Sequence, residues 1–122
     1  MSKQPLVDIP YLEDPDVNSD GSIKPEVTSG KFAMVMVQGN FCHFCNEAKP
    51  DFQKFAQNNS KVSCLTVQID GGTSDKQAAD KLNKHGGKGV PSYLVFSSDG
   101  KFMKQYTGGR DVASLQKFAN SL

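Results

Sequence analysis

The sequence predicts a single α/β domain, built as one mixed sheet with helices on both faces. Three observations predict it. Phe32–Val37 is a continuous apolar run with β-branched members, the pattern of a strand covered on both sides. A second run, Val62–Ile69, follows an amphipathic stretch, which makes a strand–helix–strand unit. Two shorter strand signals and a last helical stretch then close the chain. At 122 residues, 37% hydrophobic and 22% charged, the chain has the size and composition of one soluble domain with one core.

Taken in order, the first thirty residues are the least regular. Leu6–Leu12 reads as a short edge strand, because Pro10 has no N–H to give a central ladder. An acidic, turn-rich loop follows over Asp14–Ile23. Its Asp16, Asn18, Asp20, Gly21 and Ile23 match the first half of an EF-hand calcium loop. The second half fails, since Val27 stands where a bidentate Glu is needed and Pro25 where the exiting helix begins. A hydrogen-bonded Asx turn is the better reading.

Beyond the first strand, Cys45, Ala48, Phe52, Phe55 and Ala56 recur at helical spacing, with Pro50 inside the helix and Asn58-Asn59-Ser60 ending it. After the second strand, Thr73 or Ser74 is expected to cap a helix carrying Ala78, Ala79 and Leu82. His85-Gly86-Gly87-Lys88-Gly89 ends that helix. Tyr93–Phe96 and Phe102–Tyr106 are strands joined at Ser98-Asp99-Gly100. Gly108-Gly109 breaks the chain before a helix whose Val112, Leu115, Phe118, Ala119 and Leu122 share a face. No internal repeat or low-complexity segment is present.

The chemistry concentrates at Phe41-Cys42-His43-Phe44-Cys45, between the first strand and its helix. A helix N-terminus offers unpaired N–H groups and partial positive charge, and both favour a thiolate over a thiol. Cys42 is placed at or just before the first turn, and Cys45 one turn further in, within reach of a disulfide. The arrangement suits dithiol–disulfide exchange. The competing readings are a structural thiol pair or half of a zinc site. Zinc wants four ligands, and only Cys64, His43 and His85 remain to complete them. Cys64 lies mid-strand, where a small buried hydrophobe is expected, and His85 reads as a helix-end residue among glycines. Neither a metal nor an organic cofactor is therefore expected.

A net charge of +1 without a basic cluster argues against nucleic acid as a partner. No apolar run approaches the roughly 18 residues of a membrane span. Three cysteines are too few for a disulfide scaffold and fit a reducing compartment. Met1–Pro5 runs into acidic sequence without an apolar stretch, and Asn120-Ser121-Leu122 is no ER-retention tail, so a cytoplasmic monomer is the expectation.

From about Lys31 to Leu122 the residues resemble the thioredoxin superfamily, and within it the protein disulfide isomerase-like branch. The resemblance rests on the Cys-x-x-Cys at a strand-to-helix junction, on Pro50 in its helix, on Gly89-Val90-Pro91-Ser92-Tyr93 and on Tyr106-Thr107-Gly108-Gly109-Arg110. It implies the thioredoxin fold over residues 31–122, with residues 1–30 as an N-terminal extension. It also implies a cis bond before Pro91, which lies against the cysteine pair and leaves the Val90 backbone free to pair with a substrate strand. Such proteins without signal peptides also occur in large DNA viruses, so a virion is a second expected location.

The chain departs from that pattern in four places. Phe41 stands where the family has Trp, and His43-Phe44 where it has Gly-Pro or Gly-His. Met36 stands at the buried acid's position and Thr66 at that of its partner lysine. The resemblance implies that Arg110 approaches Cys45 and stabilises its thiolate, against the plain reading of a solvated charge. His43 is either an exposed spacer or, when protonated, a promoter of the Cys42 thiolate. Phe41 and Phe44 either pack or give apolar contact to substrate.

The expectation is thus a thiol–disulfide oxidoreductase acting on protein disulfides or dithiols, with Cys42 as nucleophile and Cys45 as resolving thiol. A reductase or glutathione would be its electron partner. The alternative is a low-turnover binding or structural protein of the same fold, for example a component of an assembled particle, and Met36 motivates it.

Overall fold

The first apolar run lies inside the sheet. In the computed structural model, which describes residues 6–85 and 89–122, β1 (Phe32–Gln38) lies between β2 (Val62–Gln68) and β3 (Ser92–Phe96). β4 (Phe102–Tyr106) flanks β3 at the edge. β1 runs parallel to β2, with Met36 opposite Thr66, and antiparallel to β3, with Met36 opposite Tyr93. Around them run α1 (Pro25–Thr28), α2 (His43–Asn58), α3 (Thr73–Leu82) and α4 (Val112–Asn120). The expected strand–helix–strand–helix–strand–strand–helix order is present, with the short α1 added before it. Among the described residues, no helix is long and apolar enough to cross a membrane.

Strand alternation sends successive side chains to opposite faces. Met34, Met36, Tyr93, Val95 and Tyr106 pack with Phe52 and Phe55 of α2 and with Leu115 and Ala119 of α4. Ala33, Val35, Val37, Leu65, Leu94 and Phe96 pack on the other side with Ala78 and Leu82 of α3. One helix cannot cover a four-stranded face. Leu12, Val17 and Ile23 of the N-terminal segment complete that cover and are themselves buried.

The strand expected over Leu6–Leu12 shrinks to one parallel bridge, Tyr11 with Thr66. Leu12 N–H donates to the Thr66 carbonyl at 2.8 Å, and Thr66 N–H donates to the Pro10 carbonyl at 3.0 Å. Pro10 offers the sheet only its carbonyl, so the ladder goes no further. In the acidic loop, Asp20 Oδ1 accepts the Ser22 N–H at 3.0 Å, the Asx turn. The Ser22 bonds hold the Asp20 carboxyl below its ordinary range.

The side chains that gave this loop its calcium-like pattern bond within the loop, Asp16 to the Glu13 N–H and Asn18 and Asp20 to Ser22, while Asp14 and the loop carbonyls meet side chains from the end of α3 and just beyond it. Lys81 Nζ lies 2.7 Å from Asp14 Oδ1 and donates to the Asp14 and Val17 carbonyls at 3.1 and 2.8 Å. Lys84 Nζ donates to the Ser19 carbonyl at 2.8 Å. His85 Nε2 lies 2.7 Å from the Gly21 carbonyl, with its ring stacked on Phe102 at 4.0 Å. His85 thus joins the loop to β4 rather than merely ending a helix. Among the described residues, no three His, Cys, Asp or Glu side chains group to hold a metal ion.

One local expectation needs correction. The cap of α3 is Gly72, whose N–H is bound by Asp75 Oδ2 at 2.8 Å, while Ser74 Oγ accepts the Asp14 N–H and serves the loop. The β3–β4 turn depends on Gly100 for two reasons. Its φ is +91°, and a Cβ there would stand 1.9 Å from the Ile23 carbonyl oxygen. The expected helix end over Gly86–Lys88 and the leader reading over Met1–Pro5 lie outside the described residues.

Candidate active site

β1 delivers its chain end to the start of α2, and Cys42 is the residue that caps the helix. Its Sγ accepts the Cys45 N–H at 3.0 Å, the bond that a capping oxygen would accept elsewhere. The sulfur therefore sits where backbone donors and the helix dipole favour negative charge. Cys42 and Cys45 are joined as a disulfide with their Cα atoms 5.2 Å apart. The two differ in access: Cys42 is 8% exposed and Cys45 is fully buried.

The Val90 carbonyl oxygen stands 3.7 Å from Cys42 Sγ, and the Val90–Pro91 bond is cis. Phe41 and Phe44 flank the pair at 68% and 63% exposure, the two most exposed large apolar side chains among the described residues. Phe41 and Val90 also line a groove with Ile69, Val37, Leu82 and Leu94. This groove runs from Phe41 and Val90 toward Lys76, Ala79 and Leu82 of α3.

His43 points to solvent. Its Nε2 is 3.4 Å from Glu47 Oε2, and its ring meets Phe44 edge-on at 5.5 Å. Arg110 is exposed, beside Phe44, Glu47, Ala48, Asp51 and Asp111 in a shallow pocket on the outer side of α2. Its positive charge is felt at Tyr93, whose hydroxyl burial nonetheless pushes up to about 12. The structure thus gathers Phe41, Cys42, Phe44, Cys45, Val90 and Pro91 at one end of the sheet, with His43 and Arg110 on the rim.

Beneath the pair, the sheet is neutral. Met36 is fully buried, and Thr66 Oγ1 donates to its carbonyl at 2.7 Å while accepting Gln38 Nε2 at 3.2 Å. Cys64 is unpaired and buried, and burial pushes its thiol up to about 12. It is inert at ordinary pH, as expected of a small core residue.

Sequence reasoning missed the groups that hold the loop before Cys42. Asp70 accepts the Asn40 and Phe41 N–H groups at 3.1 and 3.2 Å. Burial pushes its carboxyl up, but these bonds outweigh that and hold it below the usual range. Asn46 Nδ2 donates to the Asn40 carbonyl at 3.0 Å, and Lys49 Nζ donates to Asn40 Oδ1 at 3.2 Å. Lys49 is 1% exposed. One signal was available: Lys49 falls on the Cys45–Ala48–Phe52 stripe, the buried side of the helix.

A thioredoxin family profile matches residues 17–121. The chain is 30% identical over 99 residues to a putative thioredoxin-like protein, 453L, of Invertebrate iridescent virus 6, a match covering 70% of this chain and 69% of that one. It is 27% identical over 108 residues to protein disulfide-isomerase erp38 of Neurospora crassa, covering 86% of this chain. It spans only 28% of the length of erp38. Among solved structures, mitochondrial thioredoxin 3 from Saccharomyces cerevisiae superposes with a TM-score of 0.67 at 14% identity, over 93% of this chain and 95% of that one. Human ERp44 gives 0.72 at 18% identity, over 97% of this chain and 31% of that one. The profile covers most of the chain, including the Cys-x-x-Cys pair, and the chain belongs to the thioredoxin family.

Proposed function

We propose that this protein exchanges disulfides with protein substrates, Cys42 attacking and Cys45 resolving. The observation that carries the reading is Cys42 Sγ in the capping position of α2, bound by the Cys45 N–H and more accessible than Cys45. In the reducing direction, the Cys42 thiolate attacks one sulfur of a substrate disulfide. That S–S bond breaks, the leaving sulfur takes a proton, and a mixed disulfide joins Cys42 to the substrate. The Cys45 thiolate then attacks Cys42 Sγ, freeing the second substrate thiol and leaving the Cys42–Cys45 disulfide. Two electrons from a reductase or from glutathione restore the dithiol. Run backwards, the same steps oxidise a substrate dithiol.

Phe41, Phe44 and the Val90 backbone would receive an extended apolar segment of the substrate, and Arg110 would swing toward Cys45 when its thiolate forms. The trapping experiment tests the assignment. Cys45→Ser should accumulate mixed disulfides with a protein substrate and Cys42→Ser should accumulate none; the reverse pattern overturns it. Direction follows from the reduction potential: about −270 mV marks a reductase, and about −180 mV or higher an oxidase or isomerase. A cytoplasmic monomer or a virion component is part of the same reading.

A second reading is favoured by one observation, the neutral Met36–Thr66 pair beneath the site. With no acid there to move the proton of Cys45, turnover would be slow and the fold would serve binding or assembly. Insulin-disulfide reduction no faster than with dithiothreitol alone would support it.

A further inference from the structure

We propose that Lys49 is a positioning residue for the thiol chemistry, its buried ammonium fixing the loop that presents Cys42 and favouring the Cys42 thiolate. The proposal rests on the exchange reading above. Long side chains on a helix lean toward its N-terminus, over the preceding turn. Lys49, four residues after Cys45, therefore reaches back beneath the first turn of α2, and its Nζ meets Asn40 Oδ1 at 3.2 Å. Asn40 stands two residues before Cys42. Asp70 holds the Asn40 and Phe41 N–H groups and Asn46 holds the Asn40 carbonyl, so the ammonium joins a loop already fixed on two sides.

Leu6 and Val7 lie across Lys49, Pro50 and Gln53 and line a common cleft with them. Under that cover the Lys49 side chain is 1% exposed. Burying an ammonium opposes folding, and an apolar side chain of similar length would fill the space without that penalty. A lysine here is a liability for stability, which points to a use at the site. Burial pulls its pKa down and the Asp70 charge pulls it back up, so its charge depends on its surroundings.

The charged groups around this centre are few. Asp70 faces it from the end of β2, and Lys54 shares the cleft on its own helix. Leu6 and Val7 bring no charge. Nearer Cys42, His43 is paired with Glu47 at the surface, and Arg110 lies on the outer side of α2. Lys49 is the buried cation of the set.

The test is the pH dependence of iodoacetamide alkylation of the reduced protein. Cys42 and Cys64 are equally exposed and Cys45 is fully buried, so alkylation is read at Cys42 itself, from fragment masses of the labelled peptide. Lys49→Met should raise the midpoint by about one pH unit, the size of a nearby opposite charge. It should leave the melting temperature equal or higher. Lys49→Arg, which keeps the charge, should recover most of the shift. A Lys49→Met midpoint equal to that of the unaltered protein overturns the proposal, as does an Arg variant shifted as far as the Met variant. If Lys49→Met does not fold, Asn40→Ala removes the anchor instead. A raised midpoint then supports the proposal, and an unchanged one overturns it. Failure of the unaltered protein to exchange with oxidised glutathione would overturn the exchange reading alone, because alkylation reads ionisation and not turnover.

Discussion

The two faces of the sheet are covered by different means, and the chemistry resides on one of them. On the first, α2 and α4 lie over Met34, Met36 and Tyr93, and α2 carries the cysteine pair at its start. On the second, a single helix, α3, is helped by an N-terminal loop that contributes Leu12, Val17 and Ile23. The first cover is regular because helix periodicity satisfies its own backbone. The second is irregular, so its carbonyls need outside donors, and Lys81, Lys84 and His85 supply them. One face is organised around a reactive sulfur and the other around backbone satisfaction. Substitutions should therefore separate activity from stability according to the face they touch.

The largest effect belongs to Cys42→Ser. Disulfide exchange should be abolished while the melting temperature of the reduced protein stays nearly unchanged, read by insulin turbidity and thermal unfolding. A residual exchange rate would erase the contrast.

Alkaline pH should act next, through groups packed under α2. Cys64 and Tyr93 are both pushed up to about 12, from 9.0 and 10.0. Above those ordinary values the unfolded chain loses protons that the folded chain keeps. Stability should fall as pH rises from about 9 toward 12, by about 1.4 kcal/mol per pH unit for each such group. Lys49, whose pKa is lowered, contributes the opposite slope below its ordinary 10.5. Comparing denaturant unfolding of Cys64→Ala with the unaltered protein isolates the Cys64 share, and equal slopes would refute it.

On the other face, Gly100→Ala should lower stability by about 2–3 kcal/mol, since it forces a positive φ and drives Cβ into the Ile23 carbonyl. Exchange per folded molecule should be unaffected. Lys81→Ala removes a partly exposed ammonium from three oxygens, and about 1–2 kcal/mol is expected. Both are read from urea midpoints, and loss of specific exchange activity in either would break the division of the faces.

The smallest effect is expected at His43. With its side chain 77% exposed and paired to Glu47, His43→Ala should move the Cys42 alkylation midpoint less than Lys49→Met does. The reverse order would return the tuning role to the exposed imidazole.

Much of the site was legible because its signals are local. Cys42 and Cys45 sit at a boundary that periodicity alone marks, and their spacing sets one turn of helix between them. The acidic loop was harder. Its Asp and Asn pattern suggested a cation, and it did receive cations, but from Lys81 and Lys84, more than sixty residues away in sequence. Asn40 and Asp70 were invisible for the same reason, since a loop carboxylate after β2 acquires meaning only when β2 pairs with β1.

Periodicity in the sequence was enough for β1 to β4, for α2 to α4, for their order and for the place of the dithiol. Those follow from side-chain periodicity and from the physics of a helix start, which act over a few residues. Tertiary packing alone set Cys45 deeper than Cys42, turned Lys49 inward and made the N-terminal segment complete a core face. Burial and long-range hydrogen bonds depend on which surfaces meet when the sheet closes, and no window of neighbouring residues contains that information.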